Sequence, residues 1–180
     1  MQAKAFRIEE LDYRKKKDVK SVADVYIQAF SMHPWNENWS VKETTDLVLG
    51  WRNTKKILRG KIFIAKNKSD RIVGLAVGHY LITPGHPKKL FNVITPDYHY
   101  FVSEIAVHPD FHKQGIAPLL TEQLVKHAKS LDCKSIISCT HPDNSPKISL
   151  LEKHGFTKIY EHKITHQDEM QSVYYQKILR

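Results

Sequence analysis

The order of strand-like and helix-like segments is the feature that most restricts how this chain of 180 residues can fold. Its hydrophobic patterns predict the order β α α β β β α β α β β. Strands follow one another directly towards both ends, which favours antiparallel neighbours over a doubly wound parallel sheet. We therefore expect one α/β (α+β) domain over residues 1–180, with a mixed, mainly antiparallel central sheet of about seven strands flanked by about four helices.

The predicted strands are short apolar runs bounded by turn residues. They lie at Ala5–Leu11, Lys61–Asn67, Arg71–Ile82, Tyr98–Val107 and Lys134–Thr140, and in the final segments TKIYEHKI and SVYYQKIL. The second and third strands form a predicted hairpin around KSD. Thr83–Asp97 is rich in Pro, Gly and Lys and shows no periodicity, so we expect this long connection to be functional or mobile.

Capping residues and apolar spacing locate the helices. Asp18 is the predicted N-cap of the first helix, and SVKE at Ser40 is a capping box that starts the second. The third helix starts within VHPDFHKQGIAPLL. The fourth lies in DNSPKISLLEKHGF, where Asp143 or Asn144 can cap the first turn and Gly155 can be the left-handed residue after the last.

Composition and charge exclude several classes of protein. No apolar run approaches the ~20 residues that cross a bilayer, and the N-terminus lacks the apolar core of a secretory signal. We therefore expect a cytoplasmic protein without a membrane partner. Cys133 and Cys139 match no metal motif and are expected to be reduced and structural, and the scattered histidines predict no metal site. The net charge of +9 suits an anionic cofactor better than nucleic acid, since no aromatic–basic RNA motif accompanies it.

The stretch VHPDFHKQGIAPLL joins the fourth strand to the third helix through a tight turn. A helix that starts there presents free backbone N–H groups, which together with the helix dipole bind phosphate. Gly115 allows close backbone approach and Lys113 adds a cation. The stretch is neither GxGxxG nor a Walker loop. Taken alone, it fits a plain strand–turn–helix with a packing glycine equally well.

Together with the later NSPKISLLEKHGF, this stretch resembles the GNAT superfamily of N-acetyltransferases. That family carries a Q/R-x-x-G-x-G/A pyrophosphate loop after its fourth strand and a later N-x-x-A/S-x-x-L-Y-x-K-x-G-F segment. The element order matches over nearly the whole chain. The resemblance implies direct transfer of an acetyl group from acetyl-CoA to a primary amine of a small-molecule or peptide acceptor, which the motifs do not identify. The alternative is a non-catalytic module of the same fold that binds CoA or an acyl-CoA.

Carried over residue by residue, the resemblance implies a cofactor site. Its members are the strand end Ile105, Ala106 and Val107, the loop residues His112, Lys113, Gln114, Gly115, Ile116 and Ala117, and Asn144. The strand-end backbone bonds the pantetheine arm and the thioester carbonyl in the family. His112 stands where Gln or Arg is usual, and Lys113 beside it can replace the missing charge. Asn144 can serve as a helix cap as well.

Acetyl transfer to an amine needs a base for the amine proton, a donor to the developing oxyanion and an acid for the leaving thiolate. Glu104 is the predicted base. If Ile105 and Val107 point one way, Glu104 points the other. The alternative for Glu104 is a partly exposed acid in an ion pair.

The sequence predicts no single residue as the acid that protonates the leaving thiolate. Leu151 replaces the family's motif tyrosine, and Cys139 stands where the ribosomal-protein branch has a glutamate base. Both departures argue against that branch. Tyr160, Tyr174, Tyr175, His141 and solvent remain open as acids. Cys139 could be a nucleophile in a ping-pong scheme, but a small structural cysteine is the favoured interpretation.

We expect the acceptor to bind near the N-terminal helices and Thr83–Asp97. FSMHPWNENW brings Phe30, His33, Trp35 and Trp39 close together, either as a wall of an amine pocket or as core packing at a helix end. An exposed strand edge near the C-terminus would permit a homodimer.

Overall fold

The computed structural model describes residues 5–53, 60–81, 86–95, 98–162 and 171–179. Its strands are β1 (Phe6–Glu10), β2 (Lys61–Asn67), β3 (Ile72–Tyr80), β4 (His99–Val107), β5 (Ser135–Thr140), β6 (Thr157–His162) and β7 (Ser172–Ile178). Its α-helices are α1 (Lys16–Phe30), α2 (Val41–Asn53), α3 (Ile116–Ser130) and α4 (Ser145–Lys153). The predicted order of strands and helices is confirmed.

The strands form one seven-stranded sheet in the order β1-β2-β3-β4-β5-β7-β6. Among the strands of the described residues, only β4 and β5 run parallel; every other neighbouring pair is antiparallel. The parallel pair is a consequence of the α3 crossover, because a helix between two strands brings the chain back in the same direction. The predicted mixed, mainly antiparallel sheet is therefore confirmed. No helix in the described ranges is long and apolar enough to cross a membrane.

Helices cover both faces of the sheet. On one face, α3 buries Ile116, Leu120, Leu124 and Ala128 in a cluster with residues of the central strands. On the other face, α1 and α2 bury Val22 and Val48 against β2 and β3. Each apolar stripe recurs at helical spacing, so its removal from water holds the helix on the sheet.

Capping predictions succeeded where the partners are local. Ser40 and Glu43 form the predicted capping box: the Glu43 N–H donates to Ser40 Oγ over 3.2 Å, and the Ser40 N–H donates to Glu43 Oε2 over 2.9 Å. Asn144, rather than Asp143, caps α4 by accepting the Lys147 N–H at 3.2 Å. Gly155 has the predicted left-handed conformation, with φ of 77°.

The predicted N-cap of α1 is wrong. The helix begins at Lys16, and Asp18 lies in its first turn instead of before it. The Asp18 carboxylate accepts a hydrogen bond of 3.0 Å from the Lys66 ammonium on β2. The Lys66 side chain is only 4% exposed, and a charge so enclosed requires a charged partner. The need of the Lys66 ammonium for a charged partner therefore explains why Asp18 lies inside the helix.

The connection between β3 and β4 contains an anchored segment. Leu90, in a short 3-10 helix at Lys88–Asn92, is fully buried against Phe101 and Tyr174 on the side of the sheet opposite α3. Within the described residues 86–95, the expected irregular segment is thus fastened to the sheet. The rest of that predicted connection, and most of the predicted turn between β6 and β7, lie outside the described residues.

A β-bulge interrupts β4. Ser103 is an extra residue opposite β3, because the register there passes directly from Glu104 to Val102. Pairing with β5 ends at the same place, with Val102 opposite Ser138, although β4 continues to Val107. From the bulge onwards the two parallel strands diverge, and a gap opens in the middle of the sheet.

Substitution of glycine by alanine is expected to have opposite effects on stability at Gly78 and at Gly50, because only Gly78 is in close contact with Tyr100. A Cβ at Gly78 would overlap the ring of Tyr100, whose side chain is fully buried. We expect Gly78→Ala to lower the free energy of unfolding by about 1–3 kcal/mol, because the core would be overpacked. Gly50→Ala meets open space on α2 and should raise it by up to about 1 kcal/mol. Urea denaturation of both variants measures the difference, and a stabilised Gly78→Ala protein would contradict the packing described.

Candidate active site

A cavity of about 720 Å³ opens at the end of β4, beyond the point where its pairing with β5 stops. The end of β4, the following loop, the first turn of α3, α4 and the segment after α1 form its walls. Most of the predicted cofactor residues line it: Ile105, Ala106, Val107, His112, Lys113, Gly115, Ile116, Ala117 and Asn144. The two motifs, which are separate in sequence, therefore line the same cavity.

The loop before α3 offers backbone donors to this cavity. Gly115 precedes the helix with φ of 80°, and a Cβ placed there would meet no atom within 4 Å. Across the described chain, no carbonyl or side chain accepts the backbone N–H groups of Gln114, Gly115, Ile116 or Ala117. A helix N-terminus with unpaired N–H groups attracts anions. The loop can thus hold a phosphate group against its backbone.

Two loop side chains are turned back towards the protein. The His112 imidazole donates from Nε2 to the carbonyl of Val107 over 2.9 Å, which closes the turn at the end of β4. Gln114 is exposed, and its amide donates to the Asp110 carbonyl over 3.3 Å instead of lining the cavity. Lys113 is the exposed cation at this end of the cavity. Its charge therefore stands beside the free N–H groups, as the sequence suggested.

Glu104 lies on the face of β4 opposite Ile105 and Val107. Those two side chains pack with the α3-side cluster, whereas Ala106 packs with the α1-side cluster, so the expected alternation is confirmed. Burial raises the pKa of Glu104 to about 8, an effect that the positive charge of Lys147 only partly offsets. No ion pair of Glu104 is found in the described ranges. The ion-paired alternative for this acid is therefore not what the structure contains.

Lys147 is a site residue that the sequence analysis did not identify. It lies in the first turn of α4 and its side chain lines the cavity. Burial lowers the pKa of Lys147 to about 8, even though Glu104 and Cys139 favour its charged form. A signal was present in the sequence, because the family segment has Ala or Ser at this place. The departure places a cation opposite the predicted base.

The other groups considered for catalysis differ in their surroundings. Burial raises the pKa of the Cys139 thiol to about 11, which keeps it protonated and disfavours a nucleophilic role. Leu151 is 1% exposed in the core under α4. Tyr175 is buried in the α3-side cluster, away from the face that carries Cys139. Tyr160 and Tyr174 lie on the same side as Cys139, with ring centroids 5.9 Å apart.

The aromatic patch after α1 divides between wall and core. Phe30, His33 and Trp35 line the cavity. The Trp35 ring lies 6.4 Å from that of His141, which follows β5 on the other side of the gap. Trp39 instead packs edge-on against a buried tyrosine of α1. Core packing is therefore confirmed for Trp39, whereas an amine-binding role for the three residues at the cavity stays a prediction.

Solved structures of known proteins share this fold. A protein from Pyrococcus horikoshii OT3 superposes with a TM-score of 0.71 at 20% identity, over 97% of this chain and 99% of that one. The ribosomal-protein-S18-alanine N-acetyltransferase from Escherichia coli gives 0.64 at 16% identity, over 95% and 92%. A chain of the NatC complex bound to Gag peptide and CoA gives 0.68 at 16% identity, over 97% and 99%. At these identities the likeness shows the fold.

The family is shown by a sequence comparison. The model of the "Acetyltransferase (GNAT) family" matches residues 21–156, which is most of the chain. The matched part contains the gap between β4 and β5, the loop before α3 and the whole of α4. The chain therefore belongs to the GNAT acetyltransferase family, as its two motifs predicted, and is an acyltransferase whose co-substrate is acetyl-CoA.

Proposed function

We propose that this protein transfers the acetyl group of acetyl-CoA directly to a primary amine of a small-molecule or peptide acceptor. The observation that carries the proposal is the cavity at the end of β4: the loop before α3 lines it with unpaired backbone N–H groups, and the acid Glu104, whose pKa is raised by burial, directly precedes the lining residue Ile105. We further propose that residues 1–180 form one domain that works in the cytoplasm.

The loop is the proposed binding site for the pyrophosphate of CoA. The residues fit that group, because unpaired N–H groups and open space above Gly115 allow phosphate oxygens to approach the backbone. Lys113 adds a positive charge at the same place. Asn144, which lines the cavity from α4, completes the proposed contacts. The basic net charge of the chain favours the arrival of this anionic substrate.

The free edge of β4 is the proposed site for the pantetheine arm. Ile105, Ala106 and Val107 pair with β3 on one side, but on the other side β5 has already turned away. An extended ligand with amide groups can bond such an edge as an added strand would. The same backbone would supply the donor that stabilises the oxyanion of the thioester carbonyl.

Glu104 is the proposed base. An acceptor amine must lose a proton as it attacks, and a carboxylate with a pKa of about 8 can hold that proton near neutral pH. We propose transfer in one step, since the raised pKa of Cys139 disfavours an acetylated cysteine. Phe30 and Trp35 would form the wall beside the acceptor.

The acceptor class is open to a direct screen. One similar structure contains a peptide, and another is named for an alanine of a ribosomal protein. Peptide N-termini therefore belong in a panel with small amines, polyamines, amino sugars and lysine side chains. We also propose that β6, the sheet edge nearest the C-terminus, is the surface through which a homodimer would form.

The loop assignment predicts a selective loss of affinity in one of two matched glycine variants. Gly115→Val places a branched side chain in a left-handed conformation and fills the space above the loop. We expect acetyl-CoA to bind at least about tenfold more weakly, a loss of about 1.4 kcal/mol. Gly155→Val introduces the same backbone strain after α4, outside the cavity lining. Isothermal titration should show near-native affinity for Gly155→Val, and equal losses in both variants would contradict the assignment.

The base assignment predicts a loss of turnover without a loss of substrate binding. Glu104→Gln removes the proton acceptor and keeps the size of the side chain. With the amine that reacts fastest in the panel, we expect release of free CoA to slow by about 10²-fold or more. Affinity for acetyl-CoA should be retained, since Glu104 is not among the proposed cofactor contacts. Native turnover in this variant would exclude Glu104 as the base.

The raised pKa of Glu104 predicts a pH-dependent change in stability. The folded protein keeps this proton up to about pH 8, whereas the unfolded chain releases it near the ordinary value of 4.5. The unfolded state therefore binds fewer protons across that window, and the stability contributed by Glu104 falls as pH rises. Urea denaturation at pH 5 and pH 8 should show that Glu104→Gln gains stability relative to the native protein at the higher pH. The variant Glu122→Gln, on the exposed face of α3, controls for the lost charge, and a pH-independent difference for Glu104→Gln would contradict the prediction.

A further inference from the structure

One cation that lines the cavity has no role in the acetyl transfer proposed above. Lys147 belongs to the first turn of α4, where the Asn144 cap fixes its backbone N–H. Its half-buried side chain lines the cavity. Within the described residues, its ammonium group has no hydrogen bond or ion pair. The proton donors of this ammonium are therefore available to a group that enters the cavity.

The charges around Lys147 indicate where its ammonium lies. Glu104 on β4 and Cys139 on β5 both interact electrostatically with it, and Glu37 acts on Glu104 in turn. These two side chains come from the strands on either side of the gap, so the cation that lines the cavity lies within electrostatic range of both strands. The other cationic or imidazole side chains that line the cavity are exposed: His33, His112, Lys113 and Lys153. Lys147 is thus the enclosed proton donor of this lining.

We propose that Lys147 donates the proton that the sulfur of CoA takes up when it leaves. The inference rests on the proposed acetyl transfer and extends it. The bond from the acetyl carbon to sulfur breaks, its electron pair stays on sulfur, and a proton of Lys147 Nζ moves to that sulfur. Glu104 accepts the proton of the attacking amine. A proton then returns from Glu104 to Lys147, directly or through water, so that both groups recover their starting state.

The thiol of CoA and the ammonium group of Lys147 have similar pKa values. A thiol such as that of CoA has an ordinary pKa near ~8.5, and the pKa of Lys147 is lowered to about 8. A proton moves readily between groups of similar pKa, whereas an ordinary surface lysine would hold its proton too firmly. Where Glu104 is ionised, its carboxylate favours the charged form of Lys147, an effect that burial of the ammonium outweighs.

The thiol of bound CoA gives a test that needs no acceptor. Ultraviolet absorbance reports its thiolate during a pH titration, with the complex of desulfo-CoA as the blank. An ammonium group close to sulfur lowers the pKa of the thiol by about one to three pKa units. We expect this lowering in the native complex and its loss in Lys147→Met. If CoA binds and its thiol titrates alike in both proteins, the inference is overturned while the proposed function stands. If the native protein does not bind CoA, the proposed function itself fails.

Two controls separate proton donation from other roles of a cation. Lys129→Met removes the same charge from the exposed end of α3, outside the cavity lining, and should leave the lowered thiol pKa in place. Lys147→Ala repeats the test with a smaller side chain, in case Lys147→Met does not fold. Turnover should fall by about 10²-fold in either Lys147 variant at unchanged acetyl-CoA affinity. Loss of CoA binding in both variants would assign Lys147 to binding and overturn the inference.

Mass spectrometry supplies an independent check. The native protein is incubated with acetyl-CoA in the absence of an amine and then digested. An unmodified Lys147 agrees with a role as a proton donor. An acetyl group on its Nζ would overturn the inference, because the resulting amide has no proton to give at neutral pH.

Discussion

The candidate site depends on one feature of the sheet: the hydrogen bonds between β4 and β5 stop at Val102 and Ser138. A gap inside a sheet is costly, because backbone N–H and C=O groups removed from water require partners. The strands on either side stay in place because β4 is still paired with β3, and β5 with β7. The gap is therefore a rigid space with an unsatisfied polar edge. Such a space suits an extended ligand rich in amide groups.

The bulge at Ser103 produces the gap and also reverses the direction of the next side chain. If Ser103 were a regular strand residue, strict alternation would place Glu104 on the same face as Tyr100 and Val102, in the α3-side core. With it, Ile105 returns to that face and Glu104 points to the other. One inserted residue thus separates the strands and brings the carboxyl group to the side where α1 and the aromatic wall lie.

The position of the loop is determined by the packing of α3. Ile116 and Leu120 are buried directly below the cavity, and Gly74 on β3 lets them approach the sheet: a Cβ there would lie 2.9 Å from Ile116. The N-terminus of the helix therefore cannot shift without disturbing the core. Gly115, which directly precedes the helix, is therefore held in a fixed position as well.

Sequence patterns predicted those features that depend on neighbours along the chain. The capping box at Ser40, the cap at Asn144 and the left-handed Gly155 need only local partners, and all are present. Asp18 was misjudged because its partner is Lys66, on a distant strand. The bulge leaves no mark in the hydrophobic pattern of β4, since apolar residues occupy both of its faces. The sequence therefore identified Glu104 as a candidate but could not reveal the enclosure that raises its pKa.

The electrostatic coupling of Glu104 and Lys147 argues for a functional interpretation of the cavity. Each group is enclosed enough to move its pKa strongly towards neutrality, and each favours the charged form of the other. An enclosed pair of this kind contributes little to stability, because desolvation offsets its attraction, and apolar residues of similar size often serve as well. The nearby Cys139 shows that the same region accepts a neutral side chain. An acid and a base that both have a pKa of about 8 beside a substrate cavity are better explained by proton transfer than by folding.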